Sequence, residues 1–227
     1  MTPKTNLQQL LKEIPSEVSV VAVSKTQPVE AIQALYDSGH RLFGENKVQE
    51  LLTKQPLLPE NIDWHFIGHV QRNKVKFLVP VVSMIHSIDS LKLLLEVDKE
   101  AARISRRVDC LLQFHIATEE SKFGLSWDEA ETILSSDEFR SMDHVNIRGV
   151  MGMATFTEDQ ALIRREFHEL SAIFNRLKEI FFKDSLDFSV RSMGMTNDYK
   201  IAIEEGSTMI RIGTMLFGPR LMSVNVP

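Results

Sequence analysis

Eight short apolar runs recur along the chain with helical patterns between them, and few folds accept that rhythm. The runs occupy residues 18–24, 41–46, 63–68, 83–88, 108–116, 145–153, 187–194 and 208–213. Intervening segments such as 28–39, 90–107 and 159–180 place apolar residues at helical spacing, several of them opened by Ser, Asp or Pro. No Gly/Ser linker, low-complexity tract or shift in composition interrupts this strand–helix repeat, which predicts one α/β domain over residues 1–227. Eight units in this length fit a single closed (β/α)8 barrel of the TIM type better than an open doubly wound sheet. Residues 5–14 form an extra N-terminal helix, expected near the barrel's bottom or its last strand.

The formal net charge is −5, from 26 basic and 31 acidic residues without a long run of either sign, so neither nucleic acid nor an anionic membrane is an expected partner. The opening residues hold no extended apolar stretch. Neither a secretion signal nor a membrane span is expected, and the chain reads as cytoplasmic. A single cysteine, Cys110, excludes an internal disulfide and a cysteine-based metal site, and its neighbours Val108, Leu111 and Leu112 predict a buried thiol. His65, His69, His86, His115 and His144 are scattered without carboxylate or cysteine companions at ligand spacing, so no metal is expected. His65 and His86 are expected to satisfy hydrogen bonds near the barrel wall. A complete barrel leaves no open sheet edge, which makes a monomer the expected state.

In such a barrel the C-terminal strand ends meet in one cleft. Here they carry Ser24 and Lys25, Gly44 to Asn46, Gly68 and His69, Ser87 and Asp89, His115, Met151 to Met153, Ser192 to Met195, and Gly213 and Thr214. Lys25 ends an otherwise apolar strand. It either turns to the rim and pairs with Glu45 or Asp89, or stands desolvated in the cleft, where a neutral amine attacks a carbonyl and forms a Schiff base. The seventh and eighth strand ends, within residues 191–206 and 210–220, are rich in glycine. Each is compatible with a mere tight turn. Together they occupy the place where barrels hold a phosphate, with backbone N–H groups and the Ser192 or Thr214 hydroxyl as donors, and with Thr196 or Asn197 capping the helix that follows.

A carbonyl-reactive lysine opposite a phosphate cradle describes a site for pyridoxal phosphate. Arg211 lies inside an apolar strand on the same face as Met209 and needs a partner, either a carboxylate such as Glu205 or the pyridine nitrogen of that cofactor. Because arginine stays protonated, it donates to an unprotonated ring nitrogen, and the ring is then a weak electron sink.

The stretches VAVSKTQP, FGENKVQE, WHFIGHVQRNK, HSIDS, ESKFGL, RGVMGM and SMGMTNDYKIAIEEGSTMIRIGTMLFG follow one another from about residue 18 to 220. In this order they resemble the pyridoxal phosphate homeostasis proteins, the YggS-like or PROSC-like family related to the barrel domain of alanine racemase. The resemblance implies a fold-type III barrel without the second β domain of the racemases, with the cofactor joined to Lys25. It implies Asn46 beside the cofactor, Ser192, Gly194, Gly213 and Thr214 on the phosphate, and Arg211 at the pyridine nitrogen. Lys47, His115 and Arg191 depart from the family pattern near the cleft mouth, and Lys47 would make that mouth more basic.

Two classes of function follow from a cofactor-binding barrel. The favoured one is intracellular homeostasis of pyridoxal phosphate, a vitamin B6 form: the protein holds the aldehyde as a reversible Schiff base and releases it, with apo-enzymes as expected recipients and no catalytic residue assigned. The alternative is an amino-acid racemase, which needs a base on each face of the cofactor; Tyr36 and Tyr199 are the two tyrosines, and neither is expected to face Lys25. A sugar-phosphate aldolase or isomerase also fits the lysine and cradle, though it fits Arg211 less well. Lys122, after the fifth strand, is a solvated loop lysine or a second acceptor of the aldehyde during loading.

Overall fold

The computed structural model describes residues 2–119 and 123–218. Helix α1 (Pro3–Glu13) opens the chain, with the Thr2 side chain accepting from the Thr5 N–H at its N-cap. Eight strands follow: β1 (Ser19–Val23), β2 (Leu42–Glu45), β3 (Asp63–Phe66), β4 (Met84–Ile88), β5 (Val108–Gln113), β6 (Val145–Met151), β7 (Val190–Ser192) and β8 (Met209–Ile212). They pair in parallel and in sequence order, and β8 closes on β1 from Ser19 opposite Met209 to Ala22 opposite Ile212. Every expected apolar run contains its strand, and the fold is a single TIM barrel.

The connections hold α2 (Val29–Asp37), α3 (Val48–Lys54), α4 (Val75–Leu78), α5 (Leu91–Arg103), α6 (Trp127–Ser135), α7 (Asp137–Arg140), α8 (Gln160–Ile180) and α9 (Tyr199–Glu204), and α10 (Thr214–Phe217) follows β8. Local chemistry sets several starts. Ser90 and Asp159 accept the first free N–H groups of α5 and α8, and Ser126 with Glu129 forms a reciprocal capping box on α6. Of the two positions expected for the extra helix, the last-strand side is occupied. Asn6 of α1 donates to the Leu216 carbonyl of α10 at 3.0 Å, and Tyr199 of α9 donates to Glu13 at 3.3 Å.

Strand β1 shows why the runs read as continuously apolar. Beyond Ser19 its residues are buried on both faces, one turned into the barrel and the other onto helices. Phe43, Phe66, Ile85 and Phe167 are fully buried in the layer between strands and helices. Cys110 lies in that layer, and burial pushes its thiol far above the ordinary range. The barrel interior has its own apolar cluster of Met84, Leu111 and Met151, with Met153 and Val190 against it.

The β5–β6 register passes from Cys110 opposite Ile147 to Leu111 opposite Gly149, so Arg148 is an extra residue in a bulge. Gly149 has φ 153°, and a Cβ there would sit 1.8 Å from the Val190 carbonyl oxygen. The bulge and the close approach of β7 therefore require glycine. Among the described residues no helix is long and apolar enough to cross a membrane.

Candidate functional site

A cavity of about 480 Å³ opens at the C-terminal ends of the strands. Lys25, Asn46, Arg211, Gly213 and Thr214 line it together, from the ends of β1, β2 and β8. The loop that carries Lys25 is tied down by ions outside the barrel. Buried Lys54 donates to the Ser24 carbonyl at 2.8 Å, to Glu45 at 2.8 Å and to Glu50 at 2.6 Å, while the Ser24 hydroxyl donates to Glu45 at 2.7 Å. Glu50 also accepts the Thr26 N–H at 2.5 Å, and Thr26 holds φ 63°, a left-handed conformation unusual for a β-branched residue. Burial raises the Glu45 carboxyl above its ordinary value, and among the described residues its Oε2 finds no partner. Of the two carboxylates weighed as rim partners of Lys25, Glu45 pairs with Lys54 and Asp89 meets His69 at 3.2 Å.

Arg211 is 4 % exposed and does not pair with Glu205, which goes to Arg164 and His168. Its Nη1 donates to the carbonyl and the hydroxyl of Ser192, each at 2.7 Å, and its Nη2 donates to the Gly152 carbonyl at 2.9 Å. Burial lowers its pKa to about 10, with the Asp198 carboxylate opposing that fall. The guanidinium is therefore charged at neutral pH. Among the described residues these bonds take three of its five N–H groups, and Arg211 lines the cavity.

Ser192 and Gly194 stand behind that wall. The Ser192 side chain is fully buried beneath Arg211 and also meets His86 Nδ1 at 3.0 Å. Gly194 has φ 96°, accepts the Arg211 backbone N–H at 2.9 Å, and lets the loop pass over α9, where a Cβ would meet that of Ala202 at 2.6 Å. His65 and His86 satisfy hydrogen bonds, as expected. They bond to each other at 2.8 Å inside the barrel. The expected cap by Thr196 or Asn197 is corrected. Asp198 is the N-cap of α9 and its side chain turns back to accept the Met195 N–H at 2.5 Å, which frees Thr196 and Asn197 to line the cavity.

The mouth is apolar, and sequence reasoning assigned neither Phe123 nor Phe156 to it. Phe123 stacks on His69 with ring centres 3.9 Å apart, and Phe156 and Met195 complete the rim, Phe156 being 86 % exposed. Phe156 sits in the polar stretch 155–159, and a lone large apolar residue in such a loop was the available signal. Lys47, His115 and Arg191 do not line the cavity: Lys47 stands at the N-cap position of α3, His115 meets the Glu119 carbonyl, and Arg191 lies over the Phe174 ring. Lys122 falls outside the described residues. The hydroxyl of Tyr36 goes to Asn61 and that of Tyr199 to Glu13, so neither tyrosine is part of the lining.

Residues 3–220 match the family described as alanine racemase, N-terminal domain. A pyridoxal phosphate homeostasis protein of Helicobacter pylori is 38% identical over 202 residues, 88% of this chain and 87% of that protein. One from Pasteurella multocida is 34% identical over 233 residues, 97% and 98% of the two chains. Among solved structures, PipY of Synechococcus elongatus with PLP bound is similar at a TM-score of 0.86 and 32% identity, covering 96% of this chain and 100% of that one. Alanine racemase of Clostridium difficile shares the fold at a TM-score of 0.73 and 11% identity, over 95% of this chain and 55% of the racemase. With its barrel, its strand-end lysine and these relatives, the chain belongs to the alanine racemase N-terminal domain family and, within it, to the pyridoxal phosphate homeostasis proteins.

Proposed function

We propose that the protein binds pyridoxal 5'-phosphate reversibly on Lys25 and serves its homeostasis, holding the cofactor and releasing it to solution or to apo-enzymes. The observation that carries this reading is one cavity of about 480 Å³ lined by both Lys25 and the charged Arg211. That volume lies within the range of small-ligand sites. The donor set fits the group: an amine for the aldehyde, a permanent donor for the pyridine nitrogen, and the Thr214 hydroxyl with Gly213 at the end of β8 for the phosphate. Asn46 also lines the cavity, and Ser192 and Gly194 act through Arg211 and the loop behind it. When bound, the cofactor supplies an aldehyde that condenses with amines. Lys25 would supply the amine for that condensation, which releases water and would be reversible by water or another amine without any oxidant or reductant.

Retention rather than turnover follows from the same residues. Arg211, as a donor, favours an unprotonated ring nitrogen, and neither tyrosine lines the cavity to act as a base opposite Lys25. The relatives carry the name of homeostasis proteins. The test is the visible absorbance of protein loaded with the cofactor, followed by borohydride reduction and peptide mapping. Label on Lys25, and loss of the band in a folded Lys25→Ala, is the expected result. Label chiefly on Lys47 or Lys122 overturns the assignment, and steady exchange of an amino acid's α-proton for deuterium, abolished in Lys25→Ala, would favour the amino-acid enzyme.

A further inference from the structure

A row of polar groups, buried beyond Asp63 at its lower end, crosses the barrel toward the cavity. His65 Nε2 lies 3.8 Å from Asp63, at the start of β3; His65 Nδ1 meets His86 Nε2 at 2.8 Å; and His86 Nδ1 meets the Ser192 hydroxyl at 3.0 Å, which meets Arg211 Nη1 at 2.7 Å. Strands β4 and β7 are not neighbours, so the His86–Ser192 bond runs through the interior.

The hydrogens in this row have one consistent direction. Arginine has no acceptor, so Ser192 Oγ accepts from Arg211. The hydroxyl hydrogen, fully buried, then needs an acceptor, and His86 Nδ1 is the one in reach. A neutral His86 carries its hydrogen on Nε2 and donates it to His65 Nδ1. His65 in turn carries its hydrogen on Nε2, facing the Asp63 carboxylate. The opposite direction would strand the Ser192 hydrogen and turn a ring lone pair toward Asp63. Burial supports neutral rings throughout: it lowers His65 to about 4 and His86 well below its ordinary value, with His65 and Arg211 adding to the latter.

We infer that His86, backed by His65, is a positioning residue for Arg211: it holds the Ser192 hydroxyl in the orientation that accepts from Nη1, and so fixes which guanidinium hydrogens face the cavity. This rests on the cofactor reading for its functional meaning, while the row itself is testable without cofactor. With guanidinium and imidazole nitrogens labelled with 15N, the cofactor-free wild type should show separate, slowly rotating Arg211 Nη signals and Nε2–H tautomers on both His65 and His86. His86→Leu should let the Arg211 signals merge. His86→Asn places an amide oxygen near the Nδ1 position and should restore them, which a purely space-filling role would not do.

Pyridoxal phosphate titration completes the test. His86→Leu should weaken retention about tenfold in the wild-type background and have little effect in an Arg211→Met background. An Nδ1–H tautomer on wild-type His86 overturns the inference without any variant. So does an unchanged Arg211 spectrum in His86→Leu, or an equal loss of retention in both backgrounds. Separate Arg211 signals in a wild type that takes up no cofactor would sustain the row and refute the cofactor reading.

Discussion

Glu50 shows how much of the site depends on a residue outside the cavity. Its carboxylate accepts both the Thr26 N–H and the Lys54 ammonium, and so holds the residue after Lys25 in a left-handed conformation. Glu50→Ala leaves that amide and that cation short of an acceptor. A loss of about 1–3 kcal/mol by urea unfolding is expected, together with weaker retention of pyridoxal phosphate, and Glu50→Gln should recover part of both. The sequence was informative about which residues meet: Lys25, Asn46, Gly213 and Thr214 follow strand ends that converge in a parallel barrel, and Arg211 lies just before the end of β8. It was silent about depth. Ser192 belongs to the same motif as residues that do line the cavity, yet Arg211 lies over it, and only the packing of β7 against β8 decides that order.

At the scale of elements, the strands were legible because burial on both faces leaves an uninterrupted apolar run, and the longer helices because Ser and Asp caps mark their starts. The short helix α9 was misread at its N-cap, where three neighbouring residues, Thr196, Asn197 and Asp198, all have capping side chains and local sequence does not choose between them. The bulge in β6 was also missed, although a glycine within a strand run is its ordinary signal. Its importance is testable. Gly149→Ala drives a methyl into the Val190 carbonyl, and a loss of about 3 kcal/mol or more is expected in a thermal or urea transition. Gly39→Ala, with φ 101° but nothing within 4 Å of the added carbon, should lose only about 1 kcal/mol from backbone strain.

For the whole molecule, two neutral histidines in the barrel make stability depend on pH in a definite direction. His65 and His86 have folded pKa values below the ordinary 6.5, so below that pH the unfolded chain binds protons that the folded chain refuses. Their contribution is complete above about pH 6.5 and is lost as pH falls, by about 1 kcal/mol per imidazole at pH 5.5. Glu45, raised by burial, works the other way above 4.5, while His40, lowered by burial, adds to the effect of the two barrel histidines. The unfolding temperature should therefore fall between pH 7.5 and 5.5, and His86→Leu should flatten that fall. A fall of the same size in the variant would show that other groups set the dependence.

The single thiol adds a property of a different kind. Cys110 faces the helical layer from the middle of β5, beside the bulged β6, and no reagent reaches it while the strands stay paired. Its oxidation state is consequently a record of past openings: a modified Cys110 in recovered protein dates an excursion of the barrel rather than an encounter at its surface, and the molecule carries its own history of unfolding.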